Sequence, residues 1–248
     1  MTPSTILALL FATLVPAAQA EIVGGEQAYR DCVALARTKP DEGLERAAGL
    51  IGLGAGAPAR HCQAVALTGL GRYREAGEAL ERLVNETTEP ALRVEALGQA
   101  GNAWMLAGDL PRAAATFGQA LKLAPNDPEM LIDRAIALAG AANYFEAIDD
   151  LNRAIELAPN RAEARVFRAS AYRSVDAPDL AREDVDAALA LRPGLPEALI
   201  ERGLLKRLAG DPNGARADWL SVIQRAPDSP AADAARENLA QLDLLKTR

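Results

Sequence analysis

Apolar residues recur along this chain at helical intervals and are interrupted at regular distances by turn-forming residues. After Pro230, Ala232, Ala235, Leu239, Leu242 and Leu245 follow at steps of three and four with Asp, Arg, Glu and Lys between them, which predicts an amphipathic helix. Upstream the pattern becomes periodic on a longer scale. Pro125, Pro159, Pro193 and Pro227 lie 34 residues apart, and with each proline placed at position 32 the chain divides into Val94–Asp127, Pro128–Arg161, Ala162–Leu195 and Pro196–Ser229. Position 8 of these blocks is small (Gly101, Ala135, Ala169, Gly203), position 20 is alanine (Ala113, Ala147, Ala181, Ala215), and position 24 is large and apolar (Phe117, Leu151, Val185, Trp219). Position 11 carries Trp104, Leu138, Tyr172 and Lys206.

This spacing has a direct physical reading. Small residues at positions 8 and 20 let two antiparallel helices approach closely, the large residue at 24 fills the remaining gap, and the proline stops the second helix. Each helix pair alone leaves an apolar face uncovered, so the pairs must stack. The set of small, large and proline positions resembles that of the tetratricopeptide-repeat (TPR) family, a resemblance carried by four in-register copies. It implies an all-α, right-handed superhelical solenoid of helix-turn-helix units.

Further units extend the array on both sides. Gly71-Arg72-Tyr73-Arg74-Glu75-Ala76 aligns with Gly108–Ala113 and with Ala142–Ala147, placing a repeat over residues 57–93 whose proline falls two residues late, with Asn85–Glu89 as a longer turn. Residues 21–56 read as a divergent unit, with helix-like Gln27–Arg37 and Leu44–Leu53 flanking the turn Thr38-Lys39-Pro40-Asp41. Residues 230–248 form a capping helix, giving five to six repeats plus the cap.

The beginning of the chain changes the picture of where this array works. Ile6–Val15 is a near-apolar run of about ten residues, too short to cross a bilayer, and Pro16 and Ala18-Gln19-Ala20 follow it. Residues 1–20 therefore read as a signal peptide and predict a mature chain that starts at Glu21, exported and, in a bacterium, periplasmic, with no membrane insertion after cleavage. The stretch before the apolar run lacks Lys and Arg, a departure from the usual signal. Export gives the two cysteines a meaning. Cys32 and Cys62 fall at similar places in the first helices of successive units, so a disulfide is the leading reading and two buried thiols the other. Asn85-Glu86-Thr87 matches a glycosylation acceptor, a weak three-residue signal relevant only in a eukaryote.

Composition and charge narrow the function. The chain is 50% hydrophobic and 25% charged, with 4% aromatics and abundant alanine, which suits closely stacked helices better than a β-sandwich. A net charge of −7 and no basic run interleaved with aromatics argue against nucleic acid. Catalysis has little to draw on. His61 is the only histidine and projects away from Cys62 on a helix, no metal-ligand spacing is evident, and Gly52 with Gly54-Ala55-Gly56 lacks the ending of a phosphate loop. A non-enzyme without cofactors is expected.

Two charged ladders invite a functional reading. Arg134, Arg168 and Arg202 recur at position 7, and position 23 of the same blocks is Asp150, Asp184 and Asp218, whereas the block with Ala100 has Thr116. Arginine and aspartate come and go together, as an interhelical ion pair requires; an exposed anion-binding stripe is the competing account. Glu95, Glu129, Glu163 and Glu197 occupy position 2, read either as helix-start chemistry, with Asn126/Glu129 and Asn160/Glu163 near capping boxes, or as an acidic rim for a basic partner segment.

The family resemblance assigns positions 2, 5, 6, 9, 12 and 13 to a concave groove lined by first helices. Carried onto this chain, they give Gln99, Asn102, Met105 and Leu106 in one repeat, and Ile132, Asp133 and Ile136 in the next. Val166, Phe167, Ser170 and Arg173 follow, then Ile200, Glu201, Leu204, Arg207 and Leu208, with Phe167 as a solvent-facing aromatic anchor. The carboxylate clamp of chaperone adaptors in this family is not expected, because Gly98, Asp133, Glu163 and Phe167 stand where it needs other residues and Asn102 alone matches. The expected function is a non-catalytic interaction module of the cell envelope that holds a protein or peptide partner in the groove. The alternative is an accessory subunit of an envelope enzyme.

Overall fold

A computed structural model of the chain describes residues 25–246, with side chains up to Leu244. The signal-peptide reading of residues 1–20 and the apolar role of Leu245 lie outside the described residues. Thirteen helices make up the described residues: α1 (Gly25–Thr38), α2 (Pro40–Gly52), α3 (Gly56–Gly69), α4 (Tyr73–Glu86), α5 (Pro90–Leu106), α6 (Leu110–Leu123), α7 (Pro128–Gly140), α8 (Tyr144–Leu157), α9 (Ala162–Ser174), α10 (Pro178–Leu191), α11 (Pro196–Leu208), α12 (Pro212–Arg225) and α13 (Pro230–Lys246). Each packs against the helices next to it in sequence, and odd-numbered first helices alternate with even-numbered second helices along a solenoid.

Backbone chemistry sets the hairpins. Within each pair from α3–α4 to α11–α12 the turn holds one residue in the left-handed region: Gly71, Gly108, Ala142, Asp176 and Gly210, with φ of 70, 75, 63, 59 and 79°. The next residue's N–H then reaches back to a carbonyl of the ended helix, as from Asp109 to Trp104 and from Asn143 to Leu138, each 2.9 Å. This closing motif ends the first helix and turns the chain. Prolines at the first or second helical position start most of the helices, where their missing N–H removes nothing.

The interface between the two helices of a repeat rests on a matched pair of sizes. Position 24 is completely or almost completely buried in all four repeats. Where it is aromatic, position 8 is glycine: a Cβ on Gly101 would lie 2.5 Å from Phe117, and one on Gly203 would lie 2.3 Å from Trp219. Where it is the smaller Leu151 or Val185, position 8 is alanine. The Arg–Asp readings hold as interhelical ion pairs. Arg134, Arg168 and Arg202 each present two guanidinium nitrogens to the carboxylates of Asp150, Asp184 and Asp218, which are buried. Lys206 joins the last pair at 2.8 Å. Burial pushes the Asp218 carboxyl upward, but the Arg202 and Lys206 hydrogen bonds outweigh it and hold it below the usual carboxylate range.

Two expectations need correction. The turn expected over Asn85–Glu89 is shorter, because α4 continues through Glu86 and Pro90 starts α5 instead of ending the preceding unit. The capping boxes do not form. Asp127 caps α7 by accepting from the N–H groups of Glu129 and Met130 at 3.0 and 3.1 Å, Asn126 instead accepts from Arg153, and α9 has no side-chain cap.

The first hairpin is built differently from the rest. Lys39 alone separates α1 from α2, and the helices approach so closely at Gly43 that a Cβ there would lie 2.4 Å from the Ala36 Cα. Cys32 on α1 and Cys62 on α3 are fully buried and joined by a disulfide, with Cα atoms 6.0 Å apart and thirty residues of separation. Closing such a loop contributes about 3–4 kcal/mol on the chain-entropy model.

Two measurements check these contacts. Gly203→Ala should destabilise the fold by about 1–3 kcal/mol, and adding Trp219→Leu should cost clearly less than the sum of the two single changes; additive costs in denaturant titrations would show that the close approach is not the constraint. Cys32→Ser should raise amide exchange in α1 to α3 far more than in α9 to α13, since each unit contacts only its neighbours. Uniformly faster exchange would refute a local clamp.

Candidate partner-binding groove

The odd-numbered helices share one face of the stack, which the repeat resemblance makes the concave one. The backbones of α1 and α3, α5 and α7, α7 and α9, α9 and α11, and α11 and α13 come close, whereas α3 and α5 stand further apart. At that gap lies a cavity of about 480 Å³, lined by α1, α3, α4 and α5. A second cavity, of about 300 Å³, lies between α9, α11 and α13. Pro230 follows Pro196 by 34 residues, so α13 takes the register of another first helix and its Ala231 and Ala234 continue the groove floor.

The proposed groove residues divide between these places. Gln99, Asn102 and Leu106 line the first cavity, with Leu106 58% exposed; Val166, Phe167, Ser170, Ile200 and Glu201 line the second. Several are less available than their positions imply. Val166 keeps 6% of its surface and belongs to the core, as does Ile132, while Ile136 and Leu204 are half-buried against core clusters. Phe167 and Met105 are half-buried against the central core, so Phe167 is not the solvent-facing anchor its position suggested. Glu201 is 5% exposed and its carboxylate is taken by Arg173, which removes both from free recognition. Asp133 is half-buried: burial first, then Glu129 and Asp127, push its carboxyl up, against a hydrogen bond from Asn102. Arg207 is half-buried and Leu208 exposed.

The position-2 glutamates do not behave alike. Glu129 pairs with Arg161 and Glu163 with Arg192, so these two tie helix starts to the ends of their own repeats. Glu95 and Glu197 have no cation within ion-pair distance among the described residues, and each lines a cavity. Tyr29, Arg37 and His61 also line the first cavity and were missed. Placing Gln63 at position 7 puts His61 at position 5, a groove position, so a signal existed for His61; Tyr29 and Arg37 belong to a unit whose register is not readable from its sequence. The Tyr29 hydroxyl and His61 Nδ1 are 2.9 Å apart, Gln99 hydrogen-bonds His61, and the Gln99 amide donates to Glu95 at 3.1 Å. Burial holds the His61 imidazole below its ordinary pKa, outweighing the nearby Glu95.

Comparison with known proteins agrees with this architecture. Residues 102–171 match the family model for the tetratricopeptide repeat. Over these residues the repeats are tetratricopeptide repeats. The chain shares its fold with MamA from Desulfovibrio magneticus RS-1 (24% identical, TM-score 0.60, covering 70% of this chain and 97% of that one). It is likewise similar to YrrB, a TPR protein described as having an unusual peptide-binding site (20% identical, TM-score 0.55, covering 85% and 98%). A third similar structure is IFIT1 bound to m7Gppp-AAAA (17% identical, TM-score 0.66, covering 88% and 53%), so the shared fold alone does not choose a ligand class. No curated protein matches the chain. Among the described residues no helix is long and apolar enough to cross a membrane, and no group of three His, Cys, Asp or Glu is placed to hold a metal.

His61 gives the site a pH signature. Unfolded, it titrates near 6.5; folded, it titrates lower, so the unfolded chain takes up the proton first. Its contribution to stability is complete above about pH 6.5 and declines as the pH falls below that value. Thermal melts between pH 7.5 and 5.5 should therefore show a larger loss for the wild type than for His61→Gln, and parallel losses would contradict the assignment.

Proposed function

We propose that this TPR protein is a non-catalytic interaction module that holds a segment of another polypeptide on the face of its first helices. One observation carries the reading: that face leaves cavities which the described residues do not fill, lined in part by exposed or half-buried apolar side chains and by polar groups without an ionic partner. Around Leu106 and Asn102 the surface combines apolar area with a side-chain amide, the chemistry of a polypeptide site. A net charge of −7 and the unpaired Glu95 and Glu197 disfavour a polyanion as occupant.

The cell envelope is the proposed place of action. Support comes from the apolar run Ile6–Val15, from Ala18-Gln19-Ala20, and from a buried disulfide of the sort that persists in oxidising compartments.

A photoreactive residue at Leu106 should crosslink a discrete protein partner in the native host, and the same residue at Leu220 on α12 should not capture it. Leu106 is the better probe than Phe167, whose truncation would cost stability as well as contact. Capture of the partner from Leu220 alone would place binding on the second-helix face and overturn the reading.

A further inference from the structure

The cavity at the gap between α3 and α5 has a chemical asymmetry that the rest of the groove lacks. Its floor is apolar, with Val33, Val65 and Leu80, and Leu106 stands at its edge. Two side chains of opposite charge type also face it, Arg37 from the last turn of α1 and Glu95 from α5, and neither has an ion-pair partner among the described residues. Both act electrostatically on the same Tyr29–His61 pair, so both charges are felt at one place.

The unpaired state of Glu95 follows from the repeat itself. Its counterparts Glu129 and Glu163 are neutralised by Arg161 at position 34 and Arg192 at position 31 of their repeats. In the repeat of Glu95 those places hold Asp127 and Ala124, so no cation is available from them. His61 is a poor substitute for one, because burial disfavours the imidazolium form. The carboxylate is nevertheless held in place, since Gln99 donates to one of its oxygens and is itself tied to His61 and, through it, to Tyr29. A positioned, unneutralised charge beside an apolar hole is pre-organised for an opposite charge supplied from outside.

We propose that this cavity is the specificity pocket of the groove and takes an extended segment of another polypeptide, in which an apolar side chain fills the hole between a basic residue held by Glu95 and an acidic residue held by Arg37. The inference rests on the groove reading of function. A cavity of about 480 Å³ has room for the apolar side chain with its flanking backbone. Asn102 donates to Asp133, which leaves its amide oxygen to accept a backbone N–H of the segment. The cavity between α9, α11 and α13 offers no such pair, because no cation lines it, Glu201 there is already paired with Arg173, and Glu197 stands without a facing cation.

The test uses a random peptide library displayed on phage and selected against the whole chain with its disulfide intact. Selected peptides should carry a basic and an acidic residue flanking an apolar one. The affinity of a selected peptide, read by fluorescence anisotropy, should fall about tenfold or more with Glu95→Lys and with Arg37→Glu. A peptide with its two charges exchanged should recover binding to the double variant. Both residues are exposed, and a thermal melt confirms that the variants fold. Selected peptides without a charge preference, or ones that bind Glu95→Lys as tightly as wild type, overturn the inference. Where such peptides crosslink to Phe167 or Ile200, the groove reading survives and the pocket moves to the other end; where they crosslink only to Leu220, or no peptide is selected, both fail together.

Discussion

The structure depends on one close approach, repeated along the stack: the first helix of each unit lying almost in contact with the large side chain at position 24 of the second. Gly101 beneath Phe117 and Gly203 beneath Trp219 show how tight it is, because a single added carbon would sit within 2.5 Å of the ring in both. Ala135 and Ala169 face Leu151 and Val185, so the pair of positions conserves combined size while each changes. Helix pairs built this way have similar shapes, and units of similar shape can stack in a regular solenoid. The left-handed residue in each turn completes the constraint. Ala142 and Asp176 take φ values of 63 and 59° that glycine would adopt more easily, which shows that the hairpin geometry prevails over local preference.

Charge is organised around that packing. Buried Asp150, Asp184 and Asp218 are each clasped by an arginine of the facing helix, an arrangement in which loss of either partner would strand a charge in a low-dielectric setting. One contact between successive units uses other chemistry. Trp104 is fully buried against Gly77, its indole N–H donates to Glu81 at 3.0 Å, and the Arg112 guanidinium stacks 3.7 Å from the ring while also binding Glu81. Because so many charges are committed to holding helices together, the few that face a cavity without a partner become informative about recognition.

Function follows from what the stack leaves open. Neighbouring first helices close most of the groove floor with their own side chains, and Val166 and Ile132 show that some positions nominally in the groove serve as core. The separation of α3 from α5 is what makes room at the N-terminal end, where the disulfide and the Tyr29–His61 contact hold α1 against α3. The wall of the cavity is thus stiffened on one side by a covalent bond, which limits the ordering required when a partner binds.

Much of the architecture was legible in the sequence. The 34-residue proline period, the small and large positions, the covariation of Arg with Asp, the terminal helix and the pairing of two cysteines all report local or nearest-neighbour contacts, which a repeat writes several times over. The site was only partly legible. Position in the repeat could say that Asn102 and Leu106 lie on the groove face, but not that Glu201 is consumed by Arg173 or that Phe167 is half-buried, since these depend on how far one helix sits from the next. The polar relay from Tyr29 to Glu95 joins residues of three helices, one of them in a hairpin whose single-residue turn breaks the register from which its groove positions could be counted. Repetition along the sequence therefore determined the fold, whereas the departures from repetition, visible only once the helices are packed, decided where a cavity with unpaired charges is left.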